Sequence, residues 1–163
     1  MELVGAVMIC SSCFILGVLA ARSEKQTCDR ISALLRLVIH IKNTISVTRI
    51  PLGEVFGRYN DKILTECGFL GILKYPNSTN DYSVRWQRGI QLMLLPPEIS
   101  QAAISVGRRL GRLDLKTQLE QLIYLENILA EALKEQRKAL EGKQKIYKSV
   151  SLLVGVVISI LLL

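Results

Sequence analysis

The sequence predicts an all-α protein, with two terminal transmembrane helices enclosing a cytoplasmic helical bundle built on an antiparallel stalk. Three observations carry this. Apolar residues recur at three- and four-residue spacing through two long stretches, no alternating strand pattern of useful length occurs, and both extremities lack charge. Positions 3–21 hold no charged residue, nor do Ser149–Leu163. Residues 22–148 contain all 21 Lys and Arg and 13 of the 14 acidic residues, a formal charge of +8 within a chain of +7. Such a composition excludes disordered, collagen-like and disulfide-scaffold classes.

A bilayer core of ~30 Å needs about 20 apolar helical residues, and Leu3–Ala21 comes within a residue or two of that. Ala20 and Ala21 would suit a cleaved signal peptide, but such peptides open with positive charge and this segment opens with Glu2. A retained span over 1–21 is expected. The far end is shorter. Starting at Ile146 it covers ~27 Å, with Tyr147 at the interface and the Lys148 stem reaching back to the headgroups. Ser151, Gly155 and Ser159 recur every four residues, a spacing that lets a second helix approach. A hydrophobic tail lying in a protein groove is the competing reading of 146–163. Arg22, Lys25 and Arg30 follow the first segment, and Lys138, Lys143, Lys145 and Lys148 precede the second, so the positive-inside rule places residues 22–145 in the cytoplasm.

Within that middle, Cys28–Ile50 reads as a helix whose apolar face is Ile31, Leu34, Leu35, Val38, Ile41 and Ile45, stopped by Pro51. A shorter helix is expected over Leu52–Thr65. Cys67–Gly71 and Tyr75–Asp81 read as loops. Asp81 is placed to cap a helix running to about Leu95, before Pro96-Pro97. Glu98–Leu110 follows and ends at Gly111, a residue suited to the left-handed conformation that closes helices. From an Asp114 cap, Leu115, Leu119, Leu122, Leu129, Leu133 and Leu140 trace an apolar seam that Glu126 and Gln136 interrupt. That helix is expected to continue to Leu163. The first and last helices should pair antiparallel, with the central helices packed around the far end of the stalk.

The usual signs of catalysis are missing. Cys10-Ser11-Ser12-Cys13 has redox or zinc spacing but falls inside the first apolar segment, where a thiolate is poorly solvated. Cys28 and Cys67 stand singly. His40 is the sole histidine, with no carboxylate nearby in sequence. Gly107-Arg108-Arg109-Leu110-Gly111 lacks the lysine and hydroxyl of a phosphate loop. Asn77-Ser78-Thr79 is a glycosylation sequon on the side of the membrane that lacks the machinery. No enzyme, metal, cofactor or small-molecule substrate is expected. One cluster stands out: Arg108, Arg109, Arg112 and Lys116 form a basic patch for a solvated rim, a protein partner, or the phosphates of anionic lipid or nucleic acid. The phosphate-binding reading is the least favoured of these, and no nucleic-acid partner is expected.

Leu110-Gly111-Arg112-Leu113-Asp114-Leu115-Lys116-Thr117-Gln118 contains Leu-Gly-x-x-Asp-x-x-x-Gln. With Pro51-Leu52, Trp86, and Lys148-Ser149 before an apolar terminus, it makes the whole chain resemble the stage III sporulation protein AB family of endospore-forming bacteria. The chain departs from that pattern at Lys42 and Thr44, where acids would be expected. The resemblance implies a non-enzymatic scaffold or platform in the secretion-like channel between mother cell and forespore, similar to the cytoplasmic domains of type II secretion F platform proteins. It also implies a place in the mother-cell membrane around the forespore, with other stage III channel subunits, including the ATPase of the operon, as partners. Leu110, Gly111, Asp114 and Gln118 then form either a structural corner or a partner-binding site. A membrane-tethered module binding anionic lipid or nucleic acid through Arg108–Lys116 is the alternative.

Overall fold

The computed structural model describes the backbone of residues 2–47, 50–75, 81–111 and 114–161, and the side chains of 22–47, 50–75, 81–111 and 114–142. Seven helices follow one another over these residues: α1 (Glu2–Val47), α2 (Leu52–Arg58), α3 (Lys62–Glu66), α4 (Phe69–Lys74), α5 (Tyr82–Leu92), α6 (Pro97–Gly107) and α7 (Leu115–Leu161). No strand occurs among them. Thr27–Lys134 forms one compact unit; the other comprises Met1–Gln26 and Glu135–Leu163. No helix among the described residues is long and apolar enough to cross a membrane. The side chains of the two expected spans, 1–21 and 146–163, lie outside the described residues, as do Cys10, Cys13, the sequon at 77–79, Lys143, Lys145 and Lys148.

In the Thr27–Lys134 unit, α1 buries more than one stripe. Ile31, Leu34, Val38, Ile41 and Ile45 are buried as the spacing predicts, Leu35 is only half-buried, and Cys28, Ala33 and Leu37 join the buried set. The wider face arises because α1 meets α7 and the short helices together. Lys42 Nζ bonds Glu126 Oε2 of α7 at 2.5 Å, while Ile45, further along α1, shares a cleft with Leu115 and Gln118 near the start of α7. Ascending α1 therefore means descending α7, and the expected antiparallel pairing is present within this unit. The short helices differ from expectation in one respect. They run along α1 rather than gathering at one end, since Arg30 donates to Met93 O (2.9 Å), Arg36 pairs with Asp61 (2.7 Å), and His40 lies against the Tyr59 ring (4.9 Å).

Boundaries shifted where tertiary contacts outweigh local signals. Leu52–Thr65 is two helices, because the Asp61 carboxylate accepts the Ile63 and Leu64 N–H groups (3.0 and 3.2 Å) and starts α3 afresh. Part of the expected Cys67–Gly71 loop is helical: after Gly68 at φ +81°, α4 turns Phe69, Leu70 and Leu73 into the core. Burial stabilises a turn this short where propensity alone would not. Met93 and Leu94 form a turn before Pro96, so α5 stops at Leu92. Proline at the first position of α6 costs no hydrogen bond, since that N–H would have no helical partner.

Trp86 centres the aromatic core. Its indole N–H donates to Ala103 O (2.8 Å), Phe69 meets it edge-on at 5.4 Å, and Phe56 lies 6.2 Å away. This locks α5 to α6, with Gly107 against the indole face, where a Cβ would overlap the ring. Gly107→Ala gains about 1 kcal/mol of helix propensity but overpacks a ring held by its own hydrogen bond, a cost of about 1–3 kcal/mol. The expected result is net destabilisation, read as a melting temperature several degrees lower in thermal denaturation.

Asp61 joins α1 to α3. Partial burial pushes its carboxyl up, but the Arg36 guanidinium and the N–H groups of Leu64 and Ile63 outweigh that and hold it below the usual carboxylate range. Burial, with the Asp61 charge, pushes the neighbouring Tyr59 phenol up. A carboxyl depressed by folding adds stability above its unfolded pKa and loses it as pH falls through the folded value. Asp61→Asn keeps a capping side chain and removes the charge, so the expected loss at neutral pH is about 0.5 kcal/mol, with Arg36 half-exposed. Denaturant titrations should show that gap closing as pH falls from the ordinary carboxylate pKa through the lower folded one.

Candidate functional site

Three of the four corner residues named from sequence line one cleft. Leu110 and Gly111, at the end of the α6–α7 turn, and Gln118, on the first turns of α7, line a cleft of 670 Å³ with Ile45, Ile50, Pro51, Leu52, Asp81, Tyr82 and Leu115. Two stretches remote in sequence, Pro51-Leu52 and Leu110–Gln118, thus meet across one concavity. Each wall follows from local chemistry. Gly111 adopts φ +81°, the left-handed conformation open to glycine, and Leu52 Cδ1 would lie 3.0 Å from a Cβ there. Asp114 is fully solvated and starts α7: its Oδ2 accepts the Thr117 N–H at 3.2 Å, and its carbonyl accepts the Gln118 N–H at 3.0 Å. The Thr117 hydroxyl and N–H hold the Asp114 carboxyl below its usual range. Asp114 is thus a capping group beside the cleft, and Gln118 is 8% exposed.

Sequence reasoning missed Tyr82 and Arg85. Arg85 is buried, donates to Leu73 O (3.1 Å) and places its guanidinium 4.1 Å from the Tyr82 ring centre, a cation–π contact. Its Nε has no hydrogen-bond partner. Tyr82 also packs its ring 6.1 Å from Phe56 and its hydroxyl over Gly53. The Tyr82/Arg85 spacing of three on a capped helix was the available signal, but nothing local marks which face of α5 becomes a wall.

The basic patch is a turn, not a helix face. α6 ends at Gly107, so Arg108 and Arg109 lie in the following turn and Lys116 on the first turn of α7. All three are exposed, and none forms an ion pair among the described residues. Arg112 lies outside the described residues. Elsewhere, Arg36, Lys42, Arg58 and Lys62 each face a carboxylate. The expected α7 seam is buried at Leu122, Leu129 and Leu133 and half-buried at Leu119 and Leu140. The buried face of α7 is Gln118, Leu122, Leu125, Leu129 and Leu133, whereas Leu115 is 41% exposed and opens onto the cleft. Among the described residues no cluster of His, Cys, Asp and Glu could hold a metal ion. Cys28 is a free buried thiol and Cys67 a free, half-buried one.

Fold and cleft together define a class of small helical-bundle domain in which two long antiparallel helices converge on an apolar concavity. The sequence pattern of the family Stage III sporulation protein AB matches residues 2–163, and the chain belongs to that family. Membership ties it to the sporulation-specific complex of stage III, among other stage III sporulation proteins and at the interface of forespore and mother cell. It is not a family known for enzymes. No curated protein and no solved structure matches the chain.

Gly111→Ala tests whether the corner needs its left-handed residue. A Cβ at φ +81° costs about 1–2 kcal/mol, and Leu52 must also give way. Chemical denaturation should show that loss, with Gly111→Asn intermediate, because asparagine tolerates this region better than alanine.

Proposed function

We propose that this chain is a non-enzymatic, membrane-anchored platform subunit of the secretion-like channel between mother cell and forespore. Residues 1–21 and 146–163 are its transmembrane helices, and 22–145 form its cytoplasmic domain. The observation that supports this most is the meeting of Pro51-Leu52 with Leu110–Gln118 around one cleft, in a chain whose family belongs to stage III of sporulation. The uncharged ends supply the anchors, and the flanking lysines and arginines give the orientation. Arg22, Lys25 and Lys138 are exposed, as such flanks require.

The work proposed for it is organisational. Channel subunits, among them the ATPase of the operon, dock on the cytoplasmic domain, and the corner of Leu110, Gly111, Asp114 and Gln118 is the docking place. α7 runs without a break from that corner to Leu161. A partner bound at the start of α7 is therefore joined to the C-terminal segment by hydrogen-bonded helix rather than by a loop. The solvated cations Arg108, Arg109 and Lys116 favour a second reading, a tethered module for anionic lipid or nucleic acid.

Protease added to intact protoplasts should leave residues 22–145 whole, and lysis should expose them to cutting. The purified chain should need detergent to stay monodisperse. Affinity purification from sporulating cells should recover other stage III sporulation proteins. Cleavage of the central domain from outside, or solubility without detergent, overturns the topology. Recovery of lipid or nucleic acid without stage III subunits overturns the platform.

A further inference from the structure

Three observations at the cleft concern the chemistry of what fills it. Gln118 is nine-tenths buried as a residue and lines the cleft, where its amide reaches solvent and makes no side-chain hydrogen bond among the described residues. The cleft continues as an apolar stripe along α7: Leu115 is 41% exposed, Leu119 half-buried, and Ile123 46% exposed, with Tyr124 beside them at 57%. Residues 115, 119 and 123 follow one another every four positions, which makes a ridge along a helix. Arg108, Arg109 and Lys116 adjoin the cleft-lining residues Leu110, Gly111 and Leu115 in sequence and have no carboxylate partner. The two acids nearest the cleft are engaged elsewhere. Asp81 accepts the Ser83 N–H (3.0 Å) and Asp114 the Thr117 N–H (3.2 Å).

We infer that the cleft and the α7 stripe form the docking surface for an acidic amphipathic helix of another protein. That helix seats one large apolar side chain among Tyr82, Leu52 and Leu115, lays its apolar face along Leu119 and Ile123, and turns carboxylates toward Arg108, Arg109 and Lys116. The Gln118 amide serves as donor and acceptor to its polar atoms at the edge of the seat. This is the helix-in-groove mode, in which apolar anchors supply affinity and flanking charge supplies orientation and rate. A second copy of this chain is the wrong occupant. The chain carries +7 overall, so two such corners would bring like charges together with nothing to neutralise them. A flat lipid surface would meet the exposed cations but could not fill a concavity. The inference rests on the platform reading and names the chemistry of the partner at that same corner.

The test is photocrosslinking in sporulating cells from probes placed at positions 115 and 123 of the full-length chain, with crosslinked peptides identified by mass spectrometry. Probes at both positions should reach one helical segment of net negative charge with apolar residues at three- and four-residue spacing. The triple variant Arg108→Glu, Arg109→Glu, Lys116→Glu alters only solvated side chains, so its melting should be unchanged. Its crosslink yield should fall about tenfold or more. Replacing the acids of the captured segment by lysine should restore it. Crosslinks to lipid, to a second copy, or to an uncharged or basic segment overturn the inference, as does a yield indifferent to the charge reversal. Co-purification with stage III proteins, read in the same cells, separates the two failures. If those proteins are recovered and the crosslinks are wrong, only the partner chemistry falls; if they are absent, the platform reading falls with it.

Discussion

The central constraint is that α1 and α7 must bury their apolar faces against each other in one register. Ile31, Leu34, Val38 and Ile41 on one helix, and Leu122, Leu125 and Leu129 on the other, are wholly buried. Burying each such side chain is worth about 1.5–3 kcal/mol, far more than any surface ion pair in the molecule. That seam decides where α7 begins relative to α1, and so where the turn at Gly111 faces Pro51-Leu52. The short helices do not set this geometry. They fill the flank of α1 that α7 leaves open, which is why α1 buries Ala33 and Leu37 as well as the stripe its spacing indicates.

Much of this was legible in the sequence, and the reasons are local. Pro51 and Pro96-Pro97 break helices through lost donors and steric restriction. Asp81 and Asp114 start helices by satisfying free N–H groups, and Gly111 takes the left-handed conformation because it bears no Cβ. Each of these signals needs only a few neighbouring residues. The features that were not legible depend on partners far along the chain. Phe69, Leu70 and Leu73 become helical because Trp86 and the rest of the core receive them, a fact absent from Cys67–Gly71 itself. Periodicity likewise marked Leu115 as part of the seam. It lies past the place where α1 has run out of apolar face at Ile45, so it is left at the mouth of the cleft.

The candidate site divides along the same line. Leu110, Gly111, Asp114 and Gln118 could be grouped from sequence because they lie within nine residues, and the turn keeps them together. That Pro51, Leu52, Tyr82 and Asp81 would complete the concavity was not visible, since whole helices of sequence separate them from that corner. Nor did the sequence place Arg85, whose buried guanidinium over the Tyr82 ring fixes one wall. A buried cation normally needs compensation. Here the Tyr82 ring face and the Leu73 carbonyl provide part of it, so Arg85 is held by two attractions and the ring is held by Arg85 in turn.

Glu126 interrupts the apolar seam of α7 and Gln118 shares its buried face, and their treatment differs in an informative way. Glu126 meets Lys42 from α1, so the position that breaks the seam is matched across it. The departure from the acids expected near Lys42 is thus compensated within the same chain. A matched polar pair is commonly no more stabilising than apolar residues of the same volume, but it penalises every register in which the two charges separate. A shift of α7 by one turn would leave both groups half-buried and unpaired. Gln118 has no such match. It sits two turns before Glu126 on the same helix, so the register that satisfies Glu126 is also the one that carries Gln118 into the cleft without a partner. The interaction that pins the helices together thereby presents, at their open end, an amide whose hydrogen bonds must come from water or another molecule.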